Sequence, residues 1–129
     1  MSRLVKLINL TPHDINIVSH RSFMYKDMEP EILLTIPPSG AIARCVNYTK
    51  LEETISVFAG SNKALSTLVD ITKVRTEKVI GLLEYQEGTM YLVSKMVIEA
   101  VPERADLLIM HGLYKQGNIT LGCRSFSQG

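Results

Sequence analysis

Short apolar segments recur along this chain at intervals of about ten residues, and a turn signal follows most of them. Ile15-Asn16-Ile17-Val18 alternates apolar and polar side chains, which is typical of a strand with one buried face. The run from Ile32 to Ile36 ends at Pro37-Pro38-Ser39-Gly40, because proline cannot donate a hydrogen bond to a sheet. Roughly eight to ten such segments predict a mainly β fold, a small antiparallel barrel or sandwich-like domain.

Local patterns also predict how several segments are connected. Residues 4–10 and 15–18 are expected to form one hairpin, and residues 54–58 and 65–74 a longer one. Residues 20–31 show no clear period and are expected to be a loop or a loosely packed excursion. Residues 94–101 repeat apolar side chains at helical spacing, with Ser94 as the N-cap and Pro102 as the stop, and predict one short helix.

Length and charge restrict the class of protein. The 129 residues form an ordinary length for one core, and no linker or repeat interrupts them, so we expect a single domain, residues 1–129. Fourteen basic and 13 acidic residues leave a net charge of +1. A duplex-DNA binder normally carries a clear excess of Lys and Arg, so we expect no nucleic-acid partner.

The sequence predicts a cytoplasmic protein without a membrane partner. Its longest apolar runs reach about five residues, far short of the roughly 20 that a spanning helix needs. The first residues, Met1-Ser2-Arg3-Leu4-Val5-Lys6, lack the apolar stretch of a secretion signal. Cys45 and Cys123 share no CxxC spacing, so we expect reduced, structural thiols.

Three phrases in the sequence resemble those of a known family. Residues 9–17 read NLTPHDINI, residues 36–44 read IPPSGAIAR and residues 86–94 read QEGTMYLVS. The chain thereby resembles a family of small proteins of bacteriophages, prophages and bacteria with the phrases NLTPHxINI, IPPSGxxAR and QEGxxYxVS. It departs from that pattern at residues 82–85, where the family would have prolines, and throughout residues 47–78.

The resemblance implies a setting rather than an activity. Small accessory proteins of phages often act against host defence, and several unrelated phage families of this size are oligomeric sponges for nucleotide immune signals. The expectation that follows is a non-enzymatic, counter-defence sponge for a nucleotide-derived signal in the cytoplasm of a bacterial host cell.

Three arginines are candidate ligand-binding residues. Arg44, Arg104 and Arg124 each follow or end a structured segment, and guanidinium groups favour bidentate contacts with phosphate oxygens. The turn at Ser39-Gly40 offers backbone N–H groups that could form an anion nest. The alternatives are a plain turn, arginines that face water, and an ion pair of Arg104 with Asp106 or Glu103.

His13 and Tyr85 complete the predicted anion site. Tyr85 can stack on a base, and His13, next to Asp14, either lines the site or packs in its turn. A His beside a carboxylate also supports an alternative function, a small hydrolase or isomerase. The histidines and cysteines share no ligand spacing, so we predict no metal and no cofactor.

Two further expectations concern partners. Many short strands need their edges covered, so we expect a homo-oligomer, with residues 107–110 as a subunit contact. A third function, a virion or structural accessory protein whose loops bind other proteins, stays open beside the sponge and the enzyme.

Overall fold

The computed structural model describes residues 3–25 and 29–129, and their contacts divide the chain into two units. The core unit comprises residues 1–45 and 79–129, and the hairpin unit comprises residues 46–78. The elements, in chain order, are β1 (Lys6–Asn9), β2 (Ile15–Val18), α1 (His20–Met24), β3 (Ile32–Ile36), β4 (Arg44–Val57), a 3-10 turn (Lys63–Leu65), β5 (Thr67–Ile80), β6 (Thr89–Leu92), α2 (Lys95–Ala100), β7 (Leu107–Gln116) and β8 (Ile119–Ser127).

Six strands of the core unit form one mixed sheet in the order β1-β6-β7-β8-β2-β3. β6 runs parallel to both β1 and β7, and β2 runs parallel to β8. The chain leaves β6, forms α2 and returns to β7, which is the helical crossover that a parallel pair requires. β7 and β8 form an antiparallel hairpin across Gly117-Asn118, since Gln116 pairs with Ile119.

Two apolar clusters lie on opposite faces of β6. Tyr91 and Val93 point into a cluster that α2 closes with Val97 and Ile98. Leu92, between them in sequence, points into a second cluster with Ile15, Ile36 and Cys123. β6 is therefore buried on both faces, because successive side chains of a strand point in opposite directions.

The two edges of this sheet meet at Asn9. Asn9 at the end of β1 bridges to Pro38, just after β3, and the Ser39 N–H donates to the Asn9 carbonyl at 3.0 Å. The Asn9 amide donates to the carbonyls of His13 at 2.7 Å and Ile36 at 2.9 Å. Its oxygen accepts from the Thr11 N–H and hydroxyl. This one buried side chain joins the segments that begin the first two sequence phrases.

β4 and β5 form a separate two-stranded sheet. Hydrogen bonds from Thr54 to Asp70 at 2.8 Å and from Thr76 to Asn47 at 3.4 Å show that the strands run antiparallel. No residue from 46 to 78 is buried. Because an isolated two-stranded ribbon is marginally stable in water, the hairpin unit lacks the packing that holds the core unit together.

The mainly β fold with a short helix near residues 94–101 is confirmed. Ser94 occupies the N-cap position of α2, although its side chain makes no capping hydrogen bond. Within that fold, three strand pairs are parallel, and α1 forms at His20–Met24 in the segment expected to be a loop. The prediction of a single domain, residues 1–129, stays a prediction.

One predicted local arrangement is wrong. β1 and β2 do not form a hairpin, because β1 pairs with β6 and β2 lies between β8 and β3. Residues 107–110 begin β7, where Leu107 is fully buried in the first cluster and Met110 is exposed, and the expected subunit contact at these residues stays a prediction. Among the described residues, no helix is long and apolar enough to cross a bilayer.

Candidate functional site

A cavity of about 480 Å³ opens at the start of β6 in the core unit. We call it the β6 cavity; its lining consists of residues 3–5, Tyr85, residues 88–90 and residues 103–106. Its volume lies within the range of roughly 300–1,000 Å³ that is usual for small-molecule sites. Two of the predicted site residues, Tyr85 and Arg104, lie together in this lining.

Two hydrogen bonds hold the loop that carries Tyr85. The Tyr91 hydroxyl donates to the Glu84 carbonyl at 2.8 Å, and Nη2 of Arg104 donates to the Leu83 carbonyl at 2.8 Å. Both acceptors are backbone carbonyls, which proline also has. The prolines of the family pattern at residues 82–85 would therefore preserve these two hydrogen bonds. The Tyr85 ring itself is 66% exposed and is available for stacking.

Gly88 and β1 form the opposite wall. The Lys6 N–H donates to the Gly88 carbonyl at 2.9 Å, which fixes the turn before β6 against the start of β1. Gly88 has a φ of 79°, and no atom lies within 4 Å of the position that a Cβ would occupy. A ligand can therefore approach the backbone closely at this point.

Arg104 is fixed by a bidentate ion pair with Asp106. Nε and Nη2 of Arg104 each donate to one oxygen of Asp106 at 2.8 Å, and Asp106 is buried. The hydrogen bonds from Arg104 lower the pKa of Asp106, and this effect outweighs burial, which acts in the opposite direction. The expectation of an ion pair with Asp106 is confirmed, but this pair is mostly withdrawn from water.

The ion pair leaves part of the guanidinium available. A guanidinium has five N–H donors, and Nε and Nη2 supply the three that bond to Asp106 and Leu83. Both N–H groups of Nη1 have no acceptor among the described residues. Arg3 and Glu103 also belong to this lining.

His13, Ser39 and Gly40 lie around Asn9 instead. The His13 carbonyl accepts from Asn9, while its ring is exposed and makes no hydrogen bond to a described carboxylate. Ser39 donates its N–H to Asn9, and its hydroxyl is within 3.3 Å of the Ala41 N–H and carbonyl. Gly40, with a φ of 100°, completes this exposed turn. These residues build the joint between β1 and β3.

Arg44 and Arg124 lie outside the lining of the β6 cavity. Arg44 begins β4 and is exposed. The guanidinium of Arg124 stacks over the Phe23 ring at 5.4 Å, and Phe23 makes an edge contact with Tyr114. Arg124 lies across Gly112, where a Cβ would come within 2.7 Å of its Cγ. Its position is explained by packing on β7 and α1.

Sequence reasoning missed two residues, Arg3 and Asn9. Arg3 precedes the first strand and belongs to no motif, so only the fold brings it into the same cavity lining as Arg104. Asn9 lies in the phrase NLTPHDINI, and a polar residue at the end of an apolar strand was an available signal for a side chain that bonds its own turn.

Reactive thiols and metal ligands give no further site. Cys123 is fully buried, and burial raises the pKa of its thiol, so it is a poor nucleophile at neutral pH. Across residues 3–25 and 29–129, no group of three or more His, Cys, Asp and Glu side chains is arranged to hold a metal ion.

Comparison of the chain with protein-family models, with curated proteins and with solved structures finds no match. The resemblance to the phage and bacterial family therefore stays a prediction. The structure does give two of its phrases a physical role, since NLTPHDINI and IPPSGAIAR meet at the Asn9 hydrogen bonds.

Proposed function

We propose that this protein binds a small anionic, nucleotide-like ligand in the β6 cavity and holds it without turning it over. The observation that carries the proposal is the juxtaposition of Tyr85, Arg104 and Arg3 around one cavity of about 480 Å³. An exposed aromatic ring can stack on a base, while guanidinium groups bind phosphate oxygens. Holding such a ligand is the action of a sponge.

The local geometry supports a binding role for Arg104. Asp106 fixes the guanidinium before a ligand arrives, so that little side-chain entropy is lost on binding. Each of the two available N–H groups of Nη1 can donate to a phosphate oxygen of a ligand. In the proposed setting, the ligand is a nucleotide-derived immune signal in the cytoplasm of a bacterial host, and the protein counters host defence by removing it.

The test is calorimetric titration of the full chain with ADP-ribose and with a cyclic dinucleotide. Arg3→Ala and Tyr85→Ala are the informative variants, because both residues are exposed and neither makes a hydrogen bond among the described residues. Each loss should weaken binding about ten- to hundredfold, as expected for charge-assisted and stacking contacts of about 1.5–3 kcal/mol.

Arg44→Ala is the matched control, because Arg44 is an exposed arginine outside the lining of the cavity. Its affinity should equal that of the unmodified protein. Mass spectrometry of the ligand recovered after long incubation separates the sponge from the alternative enzyme: intact ligand supports binding alone, and a product contradicts it. The proposed site is wrong if neither probe binds, or if Arg44→Ala loses as much affinity as Arg3→Ala and Tyr85→Ala do.

The alternative functions keep the status of predictions. A hydrolase or isomerase using His13 would need a carboxylate partner, and the His13 ring has none among the described hydrogen bonds. A virion or structural accessory protein would use surfaces rather than a cavity, and the hairpin unit is the surface that such a function would require.

A further inference from the structure

The loop between β5 and β6 has little backbone structure of its own. Residues 82–85 lie in no helix or strand, and none of them makes a backbone–backbone hydrogen bond among the described residues. The next such bond along the chain closes the turn that follows, where the Thr89 N–H donates to the Gln86 carbonyl at 3.1 Å. The conformation of residues 82–85 therefore depends on the side chains that contact them.

Two side chains hold this loop by its backbone carbonyls. The Tyr91 hydroxyl, from β6, donates to the Glu84 carbonyl at 2.8 Å, and Nη2 of Arg104 donates to the Leu83 carbonyl at 2.8 Å. The Glu84 carbonyl belongs to the planar peptide group that also contains the Tyr85 nitrogen. A hydrogen bond to this carbonyl therefore restrains the backbone of Tyr85 directly.

Tyr91 is a rigid support for that hydrogen bond. It is 1% exposed and packs with Val93 and Val97 in the cluster that α2 closes. Its strand lies between β1 and β7 in the sheet, so its backbone is paired on both sides. Tyr85, in contrast, is 66% exposed in the lining of the β6 cavity. The hydroxyl thus connects a fixed core side chain to the loop that carries an exposed ring.

We propose that Tyr91 is a positioning residue of the β6 cavity, and that its hydroxyl orders Tyr85 before a ligand arrives. This inference rests on the proposed function, because it concerns how the base of the ligand meets its stacking partner. A ring that is already ordered loses less conformational entropy on binding, which raises the affinity. Tyr91 lies outside the cavity lining, so its effect reaches the ligand through Tyr85.

Tyr91→Phe tests the first half of the proposal, because it removes the hydroxyl and keeps the ring that packs in the core. Relaxation of ¹⁵N spins in the full chain measures the order of the loop without any ligand. The order parameters of the amides of residues 83–86 should fall from about 0.85, typical of a rigid backbone, toward the flexible range below about 0.6.

Tyr114→Phe is the matched control. Tyr114 is a tyrosine of similar burial on β7, it lies outside the cavity lining, and its hydroxyl makes no hydrogen bond among the described residues. Its replacement should leave the order parameters of residues 83–86 and the affinity for ADP-ribose unchanged.

Calorimetric titration with ADP-ribose tests whether this order contributes to binding. Tyr91→Phe should weaken binding about three- to tenfold, the effect of one neutral hydrogen bond. In a chain that already carries Tyr85→Ala, the same substitution should not weaken binding further, because the ring that Tyr91 positions is absent.

Three results would overturn the positioning role. The order parameters could be the same in Tyr91→Phe and the unmodified chain, or Tyr114→Phe could lower them as much. Tyr91→Phe could also weaken ADP-ribose binding equally with and without the Tyr85 ring, which would mean that the hydroxyl does not act through Tyr85. Failure of the proposed function is a distinct result: the unmodified chain then binds neither ADP-ribose nor the cyclic dinucleotide, and this inference falls with it.

Discussion

The core unit and the hairpin unit are made of the same kind of alternating strand, yet only the core unit buries apolar side chains. β6 is covered on both faces, by α2 on one side and by β2 and β3 on the other. β4 and β5 are longer than β6, yet none of their residues is buried. Alternation therefore specifies a strand, but the stability of the strand depends on the element that covers it.

Two glycines with the same backbone conformation give the sharpest contrast between the units. Gly81 in the core unit has a φ of 77°, and a Cβ there would lie 2.0 Å from the Ile42 carbonyl oxygen. Gly60 in the hairpin unit has a φ of 75°, and its Cβ would meet nothing within 4 Å. Gly81→Ala should lower the free energy of unfolding by about 4 kcal/mol, the sum of backbone strain and overpacking.

Gly60→Ala introduces only the backbone strain of a left-handed residue and should lower the free energy of unfolding by about 1–2 kcal/mol. Urea unfolding followed by circular dichroism measures both variants. Equal losses would contradict the difference in packing between the two units.

Asparagine offers a second matched pair. Asn9→Ala removes the buried amide that satisfies two carbonyls and two donors, and should cost about 3 kcal/mol. Asn47→Ala removes one exposed, long hydrogen bond to Thr76 and should change stability by no more than about 0.5 kcal/mol. Urea unfolding measures the stability of both variants. If Asn47→Ala lowers the free energy of unfolding as much as Asn9→Ala does, the hairpin unit is packed as tightly as the core unit.

The third prediction concerns pH. The pKa of Asp106 is lower in the folded protein than its ordinary value of 3.8. The ion pair with Arg104 therefore stabilises the fold above that ordinary value and loses its contribution as the pH falls through the folded pKa. Asp106→Asn should cost about 2 kcal/mol at pH 7, and the difference from the unmodified protein should shrink toward pH 2.

Asp70→Asn in the hairpin unit is the control for that measurement. Asp70 is exposed and accepts one hydrogen bond from Thr54, so its replacement should cost no more than about 0.5 kcal/mol. A difference between the unmodified protein and Asp106→Asn that is constant from pH 7 to pH 2 would contradict the role of the ion pair.

A small effect on stability is expected from the largest change to the chain. Replacing residues 46–78 by Asn-Gly, a two-residue hairpin turn, removes the hairpin unit and reconnects the strands of the core unit. Because no residue of the removed segment is buried, the free energy of unfolding of the core unit should lie within about 1 kcal/mol of that of the full chain. Loss of cooperative unfolding would show instead that residues 46–78 belong to the core.

Local signals predicted the individual elements well. β2 and β3 lie at Ile15–Val18 and Ile32–Ile36, where alternation and the Pro37-Pro38 stop predicted them. Strand order was not predictable, because the partner of β1 is chosen by burial of Leu10 and Tyr91 in one cluster rather than by nearness in sequence. The helix at Lys95–Ala100 was itself a sign of parallel pairing, since a crossover between neighbouring strands needs such an element.

The candidate site was predicted in part. Tyr85 and Arg104 both line the β6 cavity, and the predicted site requires these two residues to lie in one place. Arg124 was indistinguishable from them in sequence, because the Gly112 and Phe23 that receive it are remote from it along the chain. The stretch from 47 to 78, which departs from the predicted family pattern, nearly coincides with the hairpin unit.

The parallel pairing of β1 with β6 has a consequence for the order in which the chain folds. Lys6 pairs with Thr89, so at about 5–20 residues per second of synthesis β1 is made about 4–17 s before its partner strand. Between them, residues 46–78 form a local hairpin, a process that takes about 1–10 µs. Its closure brings Cys45 and Val79 near each other and shortens the loop whose entropy opposes the β1–β6 contact.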